Sequence, residues 1–183
     1  MLDFLSKSDF VAPPTEPMVM LSGDSWAPYL CRAIQAARSS IAIAHYSIST
    51  KWSARKVAKF NVYSELLAAP RRGIRCSALV AVHKRSAATA RFNTTALYQL
   101  AQAGWTIHLV PYKKLLHAKL FIFDGALSVL GSHNITQTAS ITNIDLSLAV
   151  PGRDQAISFE RWLNTVRSKH GQSYKPERPP FAG

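Results

Sequence analysis

The chain has 183 residues, 22 of them Lys or Arg and 10 Asp or Glu, for a formal charge of +12. That length holds one sizeable core and is short for two. The excess charge favours a polyanionic partner, nucleic acid first and an anionic membrane surface second, while the lack of any run of about 18 apolar residues excludes a membrane-spanning helix.

Taken in chain order, residues 1–17 read as a loosely held arm, with prolines where a secretory signal would carry its apolar stretch, so a cytoplasmic protein is expected. A single domain follows over residues 18–170. Met18 to Leu21 suits a short edge strand, and Asp24 or Ser25 can cap a helix whose apolar stripe is Trp26, Leu30, Ile34 and Ala37, with Pro28 in its first turn. Ile41 to Ser49 (IAIAHYSIS) is small, apolar and β-branched, the pattern of an inner strand, and His45 and Tyr46 near its end are placed to line a site. Lys51 to Ala69 carries Trp52, Val57, Phe60, Tyr63 and Leu67 at helical spacing, ended by Pro70. Interleaved with them are Lys51, Arg55, Lys56 and Lys59, either a nucleic-acid contact with aromatic stacking platforms for unpaired bases or a solvated face. Arg85, in the loop before the next helix, joins the candidate nucleic-acid contacts.

Ile74 to Val82 reads as a strand, Ser86 to Ala103 as a helix stopped by Gly104, and Trp105 to Val110 as a strand. This alternation argues an α/β sandwich with a largely parallel sheet. Asn143 to Val150 alternates as a strand, Asp154 to about Lys169 is an amphipathic helix, and the Pro-rich residues 171–183 are expected to be disordered. From Ser25 to Phe123 there are fifteen basic residues and one acid, Glu65, whereas the first twenty-four residues are net acidic. Cys31 and Cys76 lack any paired spacing and fit apolar positions, so they are expected reduced in the core. No histidine shows metal-ligand spacing, and neither metal nor cofactor is expected.

Chemistry concentrates between His117 and Asn134 (HAKLFIFDGALSVLGSHN). His117 and Lys119 are two apart at the start of an apolar run, so on a strand they leave one face. Asp124-Gly125 signals a hairpin turn that folds Ala126 to Leu130 back and returns Ser132 and Asn134 beside them. An imidazole, an ammonium, a hydroxyl and a carboxamide together suit a phosphate ester without a metal, the donors holding oxygens while the imidazole attacks phosphorus or moves a proton. His133 should face the opposite way, packed or solvated rather than catalytic.

Written as a pattern, the run is H-x-K-x4-D-x6-G-S-x-N, and it resembles the HKD signature of the phospholipase D superfamily. The pattern occurs once, which points to the small single-motif branch of endonucleases that dimerise to complete one site. The resemblance implies an α/β/α sandwich with a mixed sheet, and a homodimer in which His117 is the nucleophile, forming a phosphohistidine, and His117 of the other copy is the general acid. Lys119, Ser132 and Asn134 would hold the non-bridging oxygens. Asp124 and Gly131 belong to the motif as structural residues, Asp124 in the turn. Where relatives have Asn-x-Glu, this chain has Asn143-Ile144-Asp145, and Asp145 would orient the imidazole although it is one methylene shorter. Two rivals stay open: a phospholipase or transphosphatidylase acting on lipid, and a catalytically silent nucleic-acid-binding protein.

Overall fold

A computed structural model of the chain describes residues 16–52, 59–82 and 88–176, the side chains of 88–92 excepted. Its elements run β1 (Val19–Ser22), α1 (Trp26–Ala36), β2 (Ser40–His45), α2 (Val62–Ala68), β3 (Arg75–Ala81), α3 (Ala88–Ala103), β4 (Thr106–Val110), β5 (Lys119–Phe123), β6 (Leu127–Gly131), α4 (Gln137–Ile141), β7 (Leu146–Pro151), α5 (Arg153–His170) and β8 (Gln172–Ser173). All eight strands join one mixed sheet in the order β1-β7-β6-β5-β2-β3-β4-β8.

Period-two alternation decides which side chain meets which layer. Ile41 and Ile43, Ala78 and Val80, and Phe121 and Phe123 point to one face, where they pack with Trp26, Leu30 and Ile34 of α1, Leu66 of α2 and Leu100 of α3. Ala44, Leu79, Leu120 and Ile122 point to the other, where Ala156 and Leu163 of α5 close a smaller core. The fold is therefore an α/β/α sandwich, and the inner strands are apolar on both sides because both faces are covered.

The expectation of a largely parallel sheet is corrected by the register. Among the named strands parallel pairing is confined to β2–β3 and β3–β4, joined through α2 and α3, with one isolated parallel bridge between Ile48 and Ile135. Parallel neighbours need a crossover of a dozen or more residues. Only residues 111–118 separate β4 from β5, too few for a helix, and β5 pairs antiparallel with β2; the hairpin and the return through α4 add antiparallel pairs β5–β6 and β6–β7.

The helix expected over Lys51 to Ala69 is also corrected. Its described part starts at Val62, because Asn61 caps it by accepting the Ser64 N–H at 3.0 Å, and a local cap overrides the apolar spacing upstream of it. Trp52 and Tyr63 are 7% and 4% exposed; the Trp52 indole N–H donates to Ser49 O and the Tyr63 hydroxyl donates to Gln99 Oε1. Phe60 packs partly buried against the same core. Trp52 and Tyr63 are therefore not the stacking platforms the spacing suggested, and Phe60 is only partly exposed. Arg55, Lys56 and Arg85 lie outside the described residues. The described part of the tail, residues 171–176, departs from its expected disorder as well: Gln172 and Ser173 pair antiparallel with β4, and Tyr174 donates its N–H to Ile107 O and packs on the core; residues 177–183 lie outside the described residues.

Cys31 and Cys76 are buried and unpaired, with burial pushing each thiol up to about 12. Among the described residues no helix is long and apolar enough to cross a membrane.

Candidate active site

The β5–β6 hairpin sets the frame. Asp124 and Gly125 have φ of +53° and +58°, the two positive values a type I′ turn requires. The Asp124 carboxylate accepts the N–H groups of Arg38, Ser39 and Ser40 at 2.8–2.9 Å and the Ser39 hydroxyl at 3.0 Å. Burial pushes this carboxyl up, but the backbone and hydroxyl donors outweigh it and hold it below the usual range. Asp124 thus ties the hairpin tip to the α1–β2 connection, at the far end of β5 from His117.

At the other end, β5 begins at Lys119, so His117 sits in the approach to the strand rather than on it. The two residues meet through the main chain and through Tyr46. Lys119 is 7% exposed; its Nζ donates to His117 O at 2.8 Å and lies 5.3 Å from the centroid of the Tyr46 ring. The same ring meets the exposed His117 imidazole edge-on, with centroids 4.9 Å apart. Tyr46 is held in turn by Asn93, 3% exposed on α3, whose Nδ2 donates to Tyr46 O and Ala81 O while its Oδ1 accepts the Ile48 N–H. Asn93 was missed from the sequence; its one signal is a polar residue next to Phe92 in an apolar stripe.

Leu120 pairs with Leu130, so continuing that register puts Gly131 and Ser132 opposite Lys119 and Ala118. Gly131 is required there, since a Cβ would collide with Leu146 O and with Ser147. Ser132 Oγ donates to Asp145 Oδ1 at 2.6 Å and accepts the Leu146 N–H at 3.0 Å. The carboxylate of Asp145 thus engages Ser132, not the His117 ring, and its charge acts on Lys119 and His133. Asn134 is followed by Ile135, which exchanges main-chain hydrogen bonds with Ser47 and Ser49. This seam carries the segment from Tyr46 to the exposed Lys51 alongside the end of the motif. Lys59 is exposed, its Nζ 5.7 Å from the Phe60 ring centroid.

His133 faces away, stacked on Trp26 at 4.8 Å with Nδ1 2.9 Å from Ser147 Oγ. Three buried polar atoms here have no hydrogen-bond partner: His133 Nε2, Asn134 Oδ1 and Asp145 Oδ2. Buried polar atoms are rarely left so, and the last two belong to Asn134 and Asp145, two of the candidate site residues. Among the described residues no three His, Cys, Asp or Glu side chains come together to hold a metal.

His45, opposite Lys119 in the β2–β5 register, is fully buried against Phe121, 4.6 Å between centroids, with neither ring nitrogen bonded. Burial, and then the Lys119 charge, lower its pKa to about 3. An unfolded chain would protonate this histidine near pH 6.5 while the folded chain does not, so the unfolded state binds more protons below that pH and stability falls on acidification. The expected loss from this residue is about 2 kcal/mol at pH 5 and continues to about pH 3. Urea unfolding of wild type and His45→Leu at pH 7 and pH 5 measures it; the variant should lose that much less on acidification, and equal losses would show that His45 does not carry the effect.

The family model described as "Cardiolipin synthase, PLD-like domain" matches residues 30–167. No curated protein sequence matches. Among solved structures, the phospholipase D family member Nuc from Salmonella typhimurium is similar at TM-score 0.69 and 22% identity, over 87% of this chain and 100% of that one. NucT from Helicobacter pylori is similar at TM-score 0.63 and 15% identity, over 86% and 99%. Phosphatidylserine synthase from Haemophilus influenzae is similar at TM-score 0.69 and 16% identity, over 93% of this chain and 41% of that one. A family match across three quarters of the chain, on a sheet and helices of the same arrangement, places this protein in the phospholipase D-like domain family.

Proposed function

We propose that the chain is a metal-independent phosphodiesterase that hydrolyses nucleic acid through a phosphohistidine on His117, at a site completed by a second copy. The observation that carries the reading is the group at one end of β5–β6: the exposed His117 imidazole, the Lys119 ammonium behind it, and Ser132 and Asn134 on the adjoining strand end. In the first step an imidazole nitrogen of His117 attacks phosphorus, a P–N bond forms and the P–O bond to the leaving strand breaks. That oxygen takes a proton from the imidazolium of the second copy's His117. Water then attacks phosphorus, gives its proton to that same imidazole, and the P–N bond breaks to restore both histidines.

Lys119 and Asn134 bind the non-bridging oxygens, whose negative charge grows in the transition state, by charge and amide donors, and Ser132 joins them by turning its hydroxyl proton from Asp145 Oδ1 to the phosphate. Asp145 positions the Ser132 hydroxyl, and the substrate or the second copy would engage its free oxygen. No cofactor is needed. The charge of +12 favours nucleic acid over lipid, with Lys51, Arg55, Lys56, Lys59 and Arg85 following the phosphate backbone.

A lipid substrate is the second reading, favoured by the similarity to phosphatidylserine synthase. One assay separates the two: cleavage of labelled DNA, labelled RNA and phosphatidylcholine vesicles at equal phosphodiester concentration, with EDTA present. Nucleic acid should be cut and chelator should leave the rate within about two-fold, because the ammonium and the donors replace a cation. Loss of activity in EDTA with recovery in Mg²⁺ would refute the mechanism, and faster lipid hydrolysis would refute the substrate.

A further inference from the structure

Beside His117 lies a cleft that the phosphodiesterase reading does not use. Its floor is Val110 and Leu116, one wall is Trp162, Val166 and His170 at steps of four along α5, and Lys114, Leu115 and His117 form the rim; its volume is about 270 Å³. That is smaller than the roughly 300–1,000 Å³ that enclose a whole ligand, so it suits one ring system of a larger molecule. Leu115 is 64% exposed and Trp162 39%, in a chain whose other three tryptophans are 1–7% exposed. The surroundings are basic: Lys114 lines the cleft, and the exposed Lys113 and Lys169 directly precede the lining residues Lys114 and His170 in the chain. With Trp52 and Tyr63 turned into the core and Phe60 partly buried, Trp162 is the exposed indole that shares a cleft with the attacking imidazole.

We infer that this cleft receives an unpaired base of the strand whose phosphate lies at His117, the base stacking on Trp162, so that the substrate is single-stranded or locally unpaired. The inference deepens the nuclease reading and rests on it. A base adjacent to a phosphate can reach a cleft whose rim is the attacking histidine only when it is out of a duplex stack. Flat apolar walls suit every base face, which gives strand preference without sequence preference. Lysines beside the cleft suit the flanking phosphates, whereas an acyl chain or a second copy seated here would gain nothing from them.

The test uses the full chain with His117→Asn to stop turnover, titrated with an eight-residue oligothymidylate and with an oligomer of equal length and charge lacking the bases. The oligothymidylate should bind roughly 5- to 150-fold more tightly and quench tryptophan fluorescence. Adding Trp162→Leu should remove the quenching and most of the difference while leaving the abasic oligomer unchanged. Equal binding of the two oligomers, or a difference that survives Trp162→Leu, overturns the inference. So does sedimentation showing that Trp162→Leu turns dimers into monomers, since the cleft would then be covered by a second copy. If the wild-type chain cuts single-stranded DNA in these cases, only the base site has failed; if it cuts no nucleic acid, the nuclease reading has failed with it.

Discussion

His117→Ala should lower phosphodiester hydrolysis by roughly 10⁴-fold or more, because removing a covalent nucleophile removes the whole two-step route. The side chain is exposed and its ring touches Tyr46 at one edge, so thermal unfolding should move by no more than a few degrees and the loss can be read as chemistry. The reading of one centre shared by two copies adds a stoichiometric consequence. Purified mixed dimers holding one wild-type and one His117→Ala chain should be almost inactive, since each centre needs one imidazole to attack and the other to protonate the leaving oxygen. Half the wild-type activity in such dimers would show that each chain works alone.

Lys119→Met should lower kcat by roughly 10²- to 10³-fold, the range found when a preorganised donor to a developing negative charge is deleted. Met fills nearly the same volume, and Lys119 is 7% exposed, so the packing around Tyr46 should survive. Burial lowers the pKa of Lys119, and the Asp145 charge raises it part of the way back. The ammonium is therefore lost at a lower pH than that of an ordinary lysine. Wild-type activity should fall on the alkaline side before free lysine would titrate, and Lys119→Met should lack that limb. A variant with wild-type kcat, or one that keeps the alkaline limb, would remove Lys119 from the account.

Much of the scaffold was legible because its signals are local. The apolar runs of Ile41–Ala44 and Leu120–Phe123, the Asp124-Gly125 turn and the Gly104 stop each dictate a few residues of backbone, and most strands and helices fall within one or two residues of their expected ends, whereas β2 stops four residues short of Ser49, α2 starts eleven residues after Lys51 and β7 starts three residues after Asn143. What failed was set by connection length and by neighbours. The eight-residue link into β5 forces antiparallel pairing with β2, which no strand pattern announces. Trp52 and Tyr63 fit an exposed stacking face by spacing alone, yet each finds a main-chain or side-chain partner in the core, and burial outweighs the charged residues between them.

In the candidate site, the H-x-K and S-x-N spacings named four residues that the hairpin register returns to one end of β5–β6. The cross-chain links were hidden. Tyr46 touches both His117 and Lys119 because β2 pairs with β5, and Asn93 reaches Tyr46 across more than forty residues of chain. Asp145 was expected at the imidazole and instead meets Ser132, since the β6–β7 register places Gly131 beside Ser147.

The measurement closest to the central claim is a rapid quench of the protein mixed with internally ³²P-labelled single-stranded DNA, followed by peptide mapping. A phosphohistidine is stable in alkali and lost in acid. Such a label is expected on the peptide containing His117, formed before product and absent from His117→Ala. Steady cleavage with no protein-bound label at any quench time, or a label on another residue, would contradict it.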